Sequence, residues 1–199
     1  TSGATTESID PIRTLSNRAS GRTGRAVARA CHVAGADVTL LHDGADVPYA
    51  TVESVESGAA MTEAAVAACG DADALISAAA ISDYTVERWD EKIKSGQESL
   101  TLELTPAPKL IDTVRESYPD LAVVGFKAET GVDDATLVER AREIRDRADM
   151  AFVVANDADV MGADRTRALL VDAEDATSYE GDKDGLGRRV ATELADRLV

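Results

Sequence analysis

Thr14-Leu-Ser-Asn-Arg-Ala-Ser-Gly-Arg-Thr-Gly24 is the stretch on which the fold turns. Gly21 and Gly24 stand at the expected start of an amphipathic helix, with Asn17 and Ser20 just before it. The first N–H groups of a helix have no intrahelical acceptor, and the helix dipole adds partial positive charge there, so such a start receives anions. The preceding Thr1-Ser-Gly-Ala-Thr-Thr-Glu-Ser-Ile-Asp10, which contains Gly3, reads as a second small-residue loop of the same character. Two such loops close together suit a long phosphorylated ligand. Read alone, Ser20 and Gly21 better suit a plain helix cap in an ordinary turn. A glycine loop of this kind usually follows a buried strand, and none precedes Thr1, so the chain is expected to begin inside a longer protein.

Outward from this loop, strands and helices alternate. Helices are expected at 24–34, 59–68, 109–117, 134–147 and 186–198, and strands at 37–41, 52–55, 74–79, 121–126 and 150–155. A strand at 100–104 reads as exposed, and 168–171 with a strand near Ser178 reads as a hairpin. Short apolar strands between helices predict an α/β fold, a three-layer Rossmann-like parallel sheet flanked by helices. Ligands in such sheets sit at the carboxyl ends of the strands, here the loops after Ala79, Phe126 and Ala155 together with the glycine loops. Residues 81–99 are too polar for a core and read as a flap or dimer arm of one domain spanning 1–199.

The composition, 199 residues at 44% hydrophobic, fits one globular core. A formal net charge of −16 is spread along the chain, and lysine is confined to Lys92, Lys94, Lys109, Lys127 and Lys183. An acidic surface poor in lysine resembles that of proteins adapted to high salt, where ions screen the self-repulsion. It makes nucleic acid an unsuitable partner, since phosphate backbones need a basic face. No apolar run reaches the length of a membrane span, no signal peptide is legible, and the expected location is the cytoplasm. Cys31 and Cys69, set among Ala and Val, read as small core residues in a reducing compartment. His32 and His42 lack any Ser, Cys or Asp pattern, read as surface or capping residues, and support no metal site.

Beyond the glycine loops, three segments carry candidate chemistry. Ser77-Ala-Ala-Ala-Ile-Ser-Asp-Tyr84 ends a strand in small side chains, against which a ring or ribose can lie, with Asp83 placed for a hydroxyl or a magnesium ion. The same run equally suits a tightly packed strand with Asp83 capping a loop. Lys92 and Lys94 are cations kept on an otherwise acidic segment, which suits phosphate, although a solvated lysine is the usual case. Phe126, in Val124-Gly-Phe-Lys-Ala-Glu-Thr130, ends an apolar strand where it can stack on a base or simply pack.

Six segments in order resemble the phosphopantothenate–cysteine ligase family of coenzyme A biosynthesis: 1–24, SAAAISDY at 77–84, EKIK at 91–94, TPAPKLI at 105–111, VGFKAET at 124–130 and VAND at 154–157. The resemblance implies a homodimeric nucleotide-binding domain, in many prokaryotes fused behind a flavin-dependent decarboxylase domain. It implies that the carboxylate of 4'-phosphopantothenate attacks the α-phosphate of CTP with release of pyrophosphate. L-cysteine then attacks the acyl cytidylate and releases CMP, with Mg²⁺ assisting. Asn17 looks like the family asparagine that holds the acyl intermediate, and Gly3, Ser20 and Gly21 look like its companions around the substrate. Ser77, Ala78 and Ala79, and the turn of Ala107, Pro108, Lys109 and Leu110, match segments around the nucleotide. Asp83 and Lys92 match flap residues that contact it, and Phe126 the aromatic beside the base. The helix before VAND lacks the lysines the family often carries there, and Arg142, Arg145 or Arg147 is expected to stand in. Relatives divide between CTP and ATP, and the sequence leaves that choice open.

Two other classes compete. A short-chain oxidoreductase shares such a sheet, but G-x-x-x-G-x-G is missing and no tyrosine has a lysine four residues on. A non-catalytic nucleotide-binding module would bind without turnover.

Overall fold

The computed structural model describes residues 1–157 and 165–198. Its central sheet has the order β11-β10-β9-β8-β5, built from β5 (Ala74–Ser77), β8 (Ala122–Glu129), β9 (Phe152–Asp157), β10 (Arg165–Val171) and β11 (Ala176–Asp182). The first three strands in chain order, β5, β8 and β9, run parallel, while β10 and β11 are antiparallel additions. The expected parallel sheet is thus a mixed one: the hairpin expected from 168–171 and Ser178 is β10–β11, and it joins β9 antiparallel. A parallel return needs a crossover of a dozen or more residues, and the link between β9 and β10 is shorter than that.

Alternation along the strands sends side chains to two cores. Val123, Val153 and Leu169 face a core shared with α2 (Gly58–Ala68), α3 (Leu110–Ser117) and α4 (Asp134–Arg147). Their neighbours Val124, Val154 and Leu170 face a core shared with α1 (Arg22–Val33) and α5 (Lys183–Leu198). These are the three layers that the alternating pattern predicts. Each large buried aliphatic side chain contributes roughly 1.5–3 kcal/mol relative to exposure.

Beyond the main sheet, β3 (Thr39–Leu41) and β4 (Thr51–Glu53) form a parallel pair. The chain start lies between this pair and β5: Ser2 N–H donates to Leu41 O at 3.0 Å, and Ala80 N–H donates to Gly3 O at 2.8 Å. The segment 1–10, expected to be a loop, turns into β1 (Thr6–Asp10), paired antiparallel with β2 (Arg13–Ser16). Its inward positions include Glu7 and Asp10, so the alternation carries carboxylates where a strand normally shows aliphatics. The exposed strand expected at 100–104 lies slightly later, as β7 (Leu104–Pro106), and pairs with β6 (Tyr84–Val86). This ribbon brackets the expected flap. His42, read as a surface or capping residue, is buried, with Nδ1 3.4 Å from Ser2 O and Nε2 3.5 Å from Arg25 Nη1.

Helices α1 and α5 approach so closely that a Cβ on Gly187 would lie 2.5 Å from the Ala26 carbonyl oxygen. Gly187→Ala is therefore expected to lower the unfolding free energy by about 1–3 kcal/mol through overpacking, exceeding the helix-propensity gain of up to about 1 kcal/mol. Urea unfolding in molar KCl measures it; an unchanged or raised midpoint would contradict the close contact.

Candidate functional site

The two glycine loops meet in space. Gly21 has φ +69°, and a Cβ there would lie 3.0 Å from both Cα and N of Gly3, itself at φ +87°. A Cβ on Gly24 would strike Ser2 at 2.7 Å, and Ser2 Oγ–H donates to Gly21 O at 2.9 Å. Only glycine lets helix α1 begin this tightly against the chain start. Gly21 is the N-cap residue and offers no side-chain acceptor, and the first turn holds no acidic residue. The start of α1 thus carries no side-chain cap, and the helix dipole adds partial positive charge there.

This helix start opens on a cavity of about 480 Å³ at the carboxyl ends of the parallel strands. Gly3, Asn17, Arg18, Ser20, Gly21, Arg22, Thr23 and Gly24 form one wall. Ala78, Ala79, Ala80, Ile81 and Asp83, which follow β5, form a second, and Phe126, Lys127 and Ala128 of β8 with Asn156 of β9 a third. Thr166, Lys183 and Leu186 complete it. Asn17 is held by its own amide, which donates from Nδ2 to Ala80 O at 2.9 Å. Lys127 pairs with Glu129 at 3.0 Å, and Arg140 reaches the same carboxylate at 2.8 Å. The Lys127 hydrogen bond, helped by the Arg140 charge, keeps the Glu129 carboxyl below its usual value against the opposing effect of desolvation. Asp83 is the single carboxylate of the lining, against Arg18, Arg22, Lys127 and Lys183. Cations thus outnumber carboxylates in the lining of a chain whose net charge is −16, although Lys127 shares the Glu129 carboxylate.

Gly3, Asn17, Ser20, Gly21, Ala78, Ala79, Asp83 and Phe126 are therefore brought together as the sequence suggested. The remaining candidates are not in the lining. Ser77 is buried within β5. Ala107 stands behind Asp83, donating its N–H to Asp83 O at 2.9 Å, and Pro108 follows it. Lys109 is the N-cap residue of α3, and Leu110 belongs to the core. Lys92 is exposed on the segment between β6 and β7. Arg145 and Arg147 close α4 just before β9, at the opposite, amino ends of the parallel strands. There Arg147 grips Asp112 through two 2.9 Å bonds and Arg145 pairs with Asp146 at 2.6 Å. Arg142 bonds the carbonyls of Asp172 and Glu174. Arg142, Arg145 and Arg147, expected to stand in for lysine, thus lie outside this lining, whose cations come from the glycine loop, β8 and the start of α5. Lys127 and Asn156 lie inside the segments 124–130 and 154–157, and Lys127 and Lys183 are two of only five lysines, so both signals were present in the sequence.

Among the described residues, no group of three or more His, Cys, Asp or Glu side chains is placed to hold a metal. Cys31 and Cys69 are both free thiols, and burial raises the pKa of each.

Residues 1–198 match the family model described as the DNA/pantothenate metabolism flavoprotein C-terminal domain. The coenzyme A biosynthesis bifunctional protein CoaBC of Thermococcus kodakarensis is 40% identical over 100% of this chain and 48% of its own length, so the chain spans about half of that relative. The crystal structure of the DNA/pantothenate metabolism flavoprotein from Streptococcus pneumoniae superposes with a TM-score of 0.88 at 23% identity, covering 98% of this chain and 96% of that one. The crystal structure of the C-terminal domain of a coenzyme A biosynthesis bifunctional protein CoaBC gives 0.77 at 25% identity, covering 99% and 92%. With a glycine-loop cavity at the strand ends and a family match across nearly its whole length, the chain belongs to the DNA/pantothenate metabolism flavoprotein C-terminal domain family.

Proposed function

We propose that this domain is a ligase that joins 4'-phosphopantothenate to L-cysteine through an acyl-nucleotide intermediate, in coenzyme A biosynthesis. The observation that carries the reading is the cavity where an uncapped helix start, an anchored asparagine and four cations converge beside the small residues Ala78–Ala80. Its contents suit two anionic reactants. The open N–H groups and Arg18, Arg22, Lys127 and Lys183 counter phosphate charge, and Phe126 offers a face for a base. Attack of the substrate carboxylate on the α-phosphate of CTP releases pyrophosphate, and these cations stabilise the charge that builds as it leaves. The amine of cysteine then attacks the acyl carbon, the acyl–phosphate bond breaks, and CMP leaves with loss of a proton from the amine. Asn17, fixed to Ala80 O by one amide hydrogen, keeps its second for the acyl oxygen as negative charge develops there. Magnesium carried by nucleotide phosphates needs only one or two protein carboxylates, which Asp83 fits, and it would add charge neutralisation at the phosphates.

The surroundings follow the same reading. The relatives of this chain that are called bifunctional are twice its length, in keeping with a second, flavin-dependent decarboxylase domain beside this one. Of seven large hydrophobic side chains exposed among the described residues, Ile12, Tyr84, Trp89, Leu100 and Leu104 fall on the β1–β2 turn and the β6–β7 ribbon. An apolar group of this kind suits a homodimer interface. No helix among the described residues is long and apolar enough to cross a membrane, and a cytoplasmic setting suits the free thiols.

The direct test is pyrophosphate release from 4'-phosphopantothenate with CTP or ATP, followed by formation of phosphopantothenoylcysteine, in molar KCl. Nucleotide bound without pyrophosphate release would leave a binding module. Asn17→Asp is expected to impair amide formation more than nucleotide binding, because it replaces a donor with a repelling carboxylate. Normal product formation by that variant would remove Asn17 from the mechanism.

Lys92 reaches the reaction only by closure of its segment over the cavity. On that reading Lys92→Ala keeps the fold and slows pyrophosphate release by roughly a hundredfold or more. Lys94→Ala is expected to be much milder; equal effects would reduce the segment to general positive charge. Dispersed acidity also predicts weaker stability and activity in dilute buffer than in molar KCl, and thermal melts that stay level across that range would dispose of the salt-adapted reading.

A further inference from the structure

Strand β1 is tied to the segment that carries Lys92 at three successive points. Glu7 Oε2 accepts from Thr85 Oγ1 at 2.9 Å, Ile9 O accepts from Trp89 N–H at 2.9 Å, and Asp10 Oδ2 accepts from Ile93 N–H at 3.1 Å. The last tie is the most elaborate. Asp10 is 2% exposed, and its Oδ1 also accepts the N–H groups of Ile12 and Arg13, each at 2.9 Å. The Arg13 guanidinium pairs with Asp10 Oδ2 and, from both terminal nitrogens, donates to Ile93 O at 3.2 Å. Ile93 is thus held by both its N–H and its C=O. Desolvation opposes the Asp10 charge, but the three backbone donors and Arg13 outweigh it and hold the carboxyl below its ordinary value.

Secondary structure does not require this arrangement. Residues 87–103 belong to no helix or strand, and most of their side chains are exposed. A loop of that kind is ordinarily free to sample many conformations. Here a buried carboxylate and a guanidinium are both spent on one residue of it, the immediate neighbour of Lys92.

We propose that Asp10, with Arg13, is a positioning residue: it latches the backbone at Ile93 and so fixes the root from which Lys92 reaches the cavity. The latch rests on the ligase reading for its effect on rate, but not for its effect on the segment. The hairpin extends its reach. Strand β2 leads directly into Asn17, and Ser16 Oγ–H donates to Thr5 O at 2.9 Å, so the element that holds the Lys92 segment also carries Asn17. Without the latch, Lys92 keeps its charge but loses its preorganisation, and loss of position alone lowers a rate steeply.

Trp89, the chain's single tryptophan, lies within the latched segment and reports on it directly. Asp10→Asn and Arg13→Ala are compared with the parent protein in molar KCl, with oligomeric state and far-ultraviolet circular dichroism checked first. Both variants are expected to red-shift Trp89 emission and raise its quenching by acrylamide. Arg13, half-exposed, keeps the test open should Asp10→Asn fail to fold. Parental emission and quenching in a folded variant would overturn the latch, whatever the activity. For the rate, Asp10→Asn is expected to slow pyrophosphate release by roughly tenfold or more in the parent, chiefly in kcat. In a Lys92→Ala background the same change should cost less than about twofold, because the latch acts through Lys92. Equal losses in both backgrounds would show a merely structural carboxylate and refute the positioning role. A parent protein inactive with both nucleotides would defeat the ligase reading, while the fluorescence comparison would still decide the latch.

Discussion

The contact on which the rest depends is the crossing of the chain start with the first turn of α1. Gly3, Gly21, Gly24 and Ser2 lie so close that a side chain on any of the three glycines would collide with the opposing strand of chain or with its immediate surroundings. Ser2 is wholly buried and bonds Gly21 O, so the contact is polar and satisfied as well as tight. Three consequences follow. The segment 1–4 can lie between β3 and β5, joining the small parallel pair to the main sheet through Leu41 and Ala80. The uncapped start of α1 faces the strand ends. Asn17, a few residues before that start, reaches Ala80 O and thereby spans the same junction. A larger residue at Gly21 would push α1 away from all three together, and its positive φ adds a backbone penalty for any side chain.

Much of this was legible in the chain. The glycine loop announced a helix start, and the alternation of Val, Ile and Leu announced buried strands, because those signals come from local sterics and periodicity. What escaped was governed by longer-range pairing. Strand β1 was hidden because its inward positions include Glu7 and Asp10, which are satisfied by Gly58, Thr85, Ile93 and Arg13 rather than by apolar neighbours. No hydrophobic pattern can reveal a strand whose interior is held by hydrogen bonds. The reversal at β10 escaped because direction is set by the length of a connection, not by the composition of the strands. For the site, residues next to the glycine turn and after β5 were readable, since the chain places them there directly. Lys127, Asn156 and Lys183 were present in the same pattern but needed the sheet order to bring β8, β9 and α5 to one cavity.

The acidic composition sharpens the electrostatic reading. Most described arginines are committed to carboxylates or carbonyls: Arg147 to Asp112, Arg167 to Asp134, Arg197 to Asp172 and Glu193, and Arg115 to five carbonyls of the α3–β8 and α4–β9 links. Exposed pairs of this kind contribute little singly, with a typical value of about 0–1 kcal/mol, and their main effect is to offset like-charge repulsion. Around the cavity the balance is reversed, with four cations to one carboxylate. On an otherwise acidic surface, such a local excess of cations favours anions at the strand ends through the field alone, before any specific contact forms.

Hairpin β1–β2 then links that cavity to the segment between β6 and β7. One end of it, through Asp10 and Arg13, grips the backbone at Ile93; the other runs into Asn17 at the strand ends. Thr6 Oγ1–H donates to Ser16 Oγ at 3.1 Å and Ser16 Oγ–H to Thr5 O, so the two strands are cross-braced between these ends. A braced two-stranded element is stiff along its length compared with the loops it touches, and it transmits position rather than averaging it out. Asn17 and the segment that carries Lys92 are therefore placed by one element. That economy accounts for charged residues at the inward positions of a strand where aliphatic ones would have folded more simply: aliphatic side chains would pack β1 but would leave Ile93 unheld.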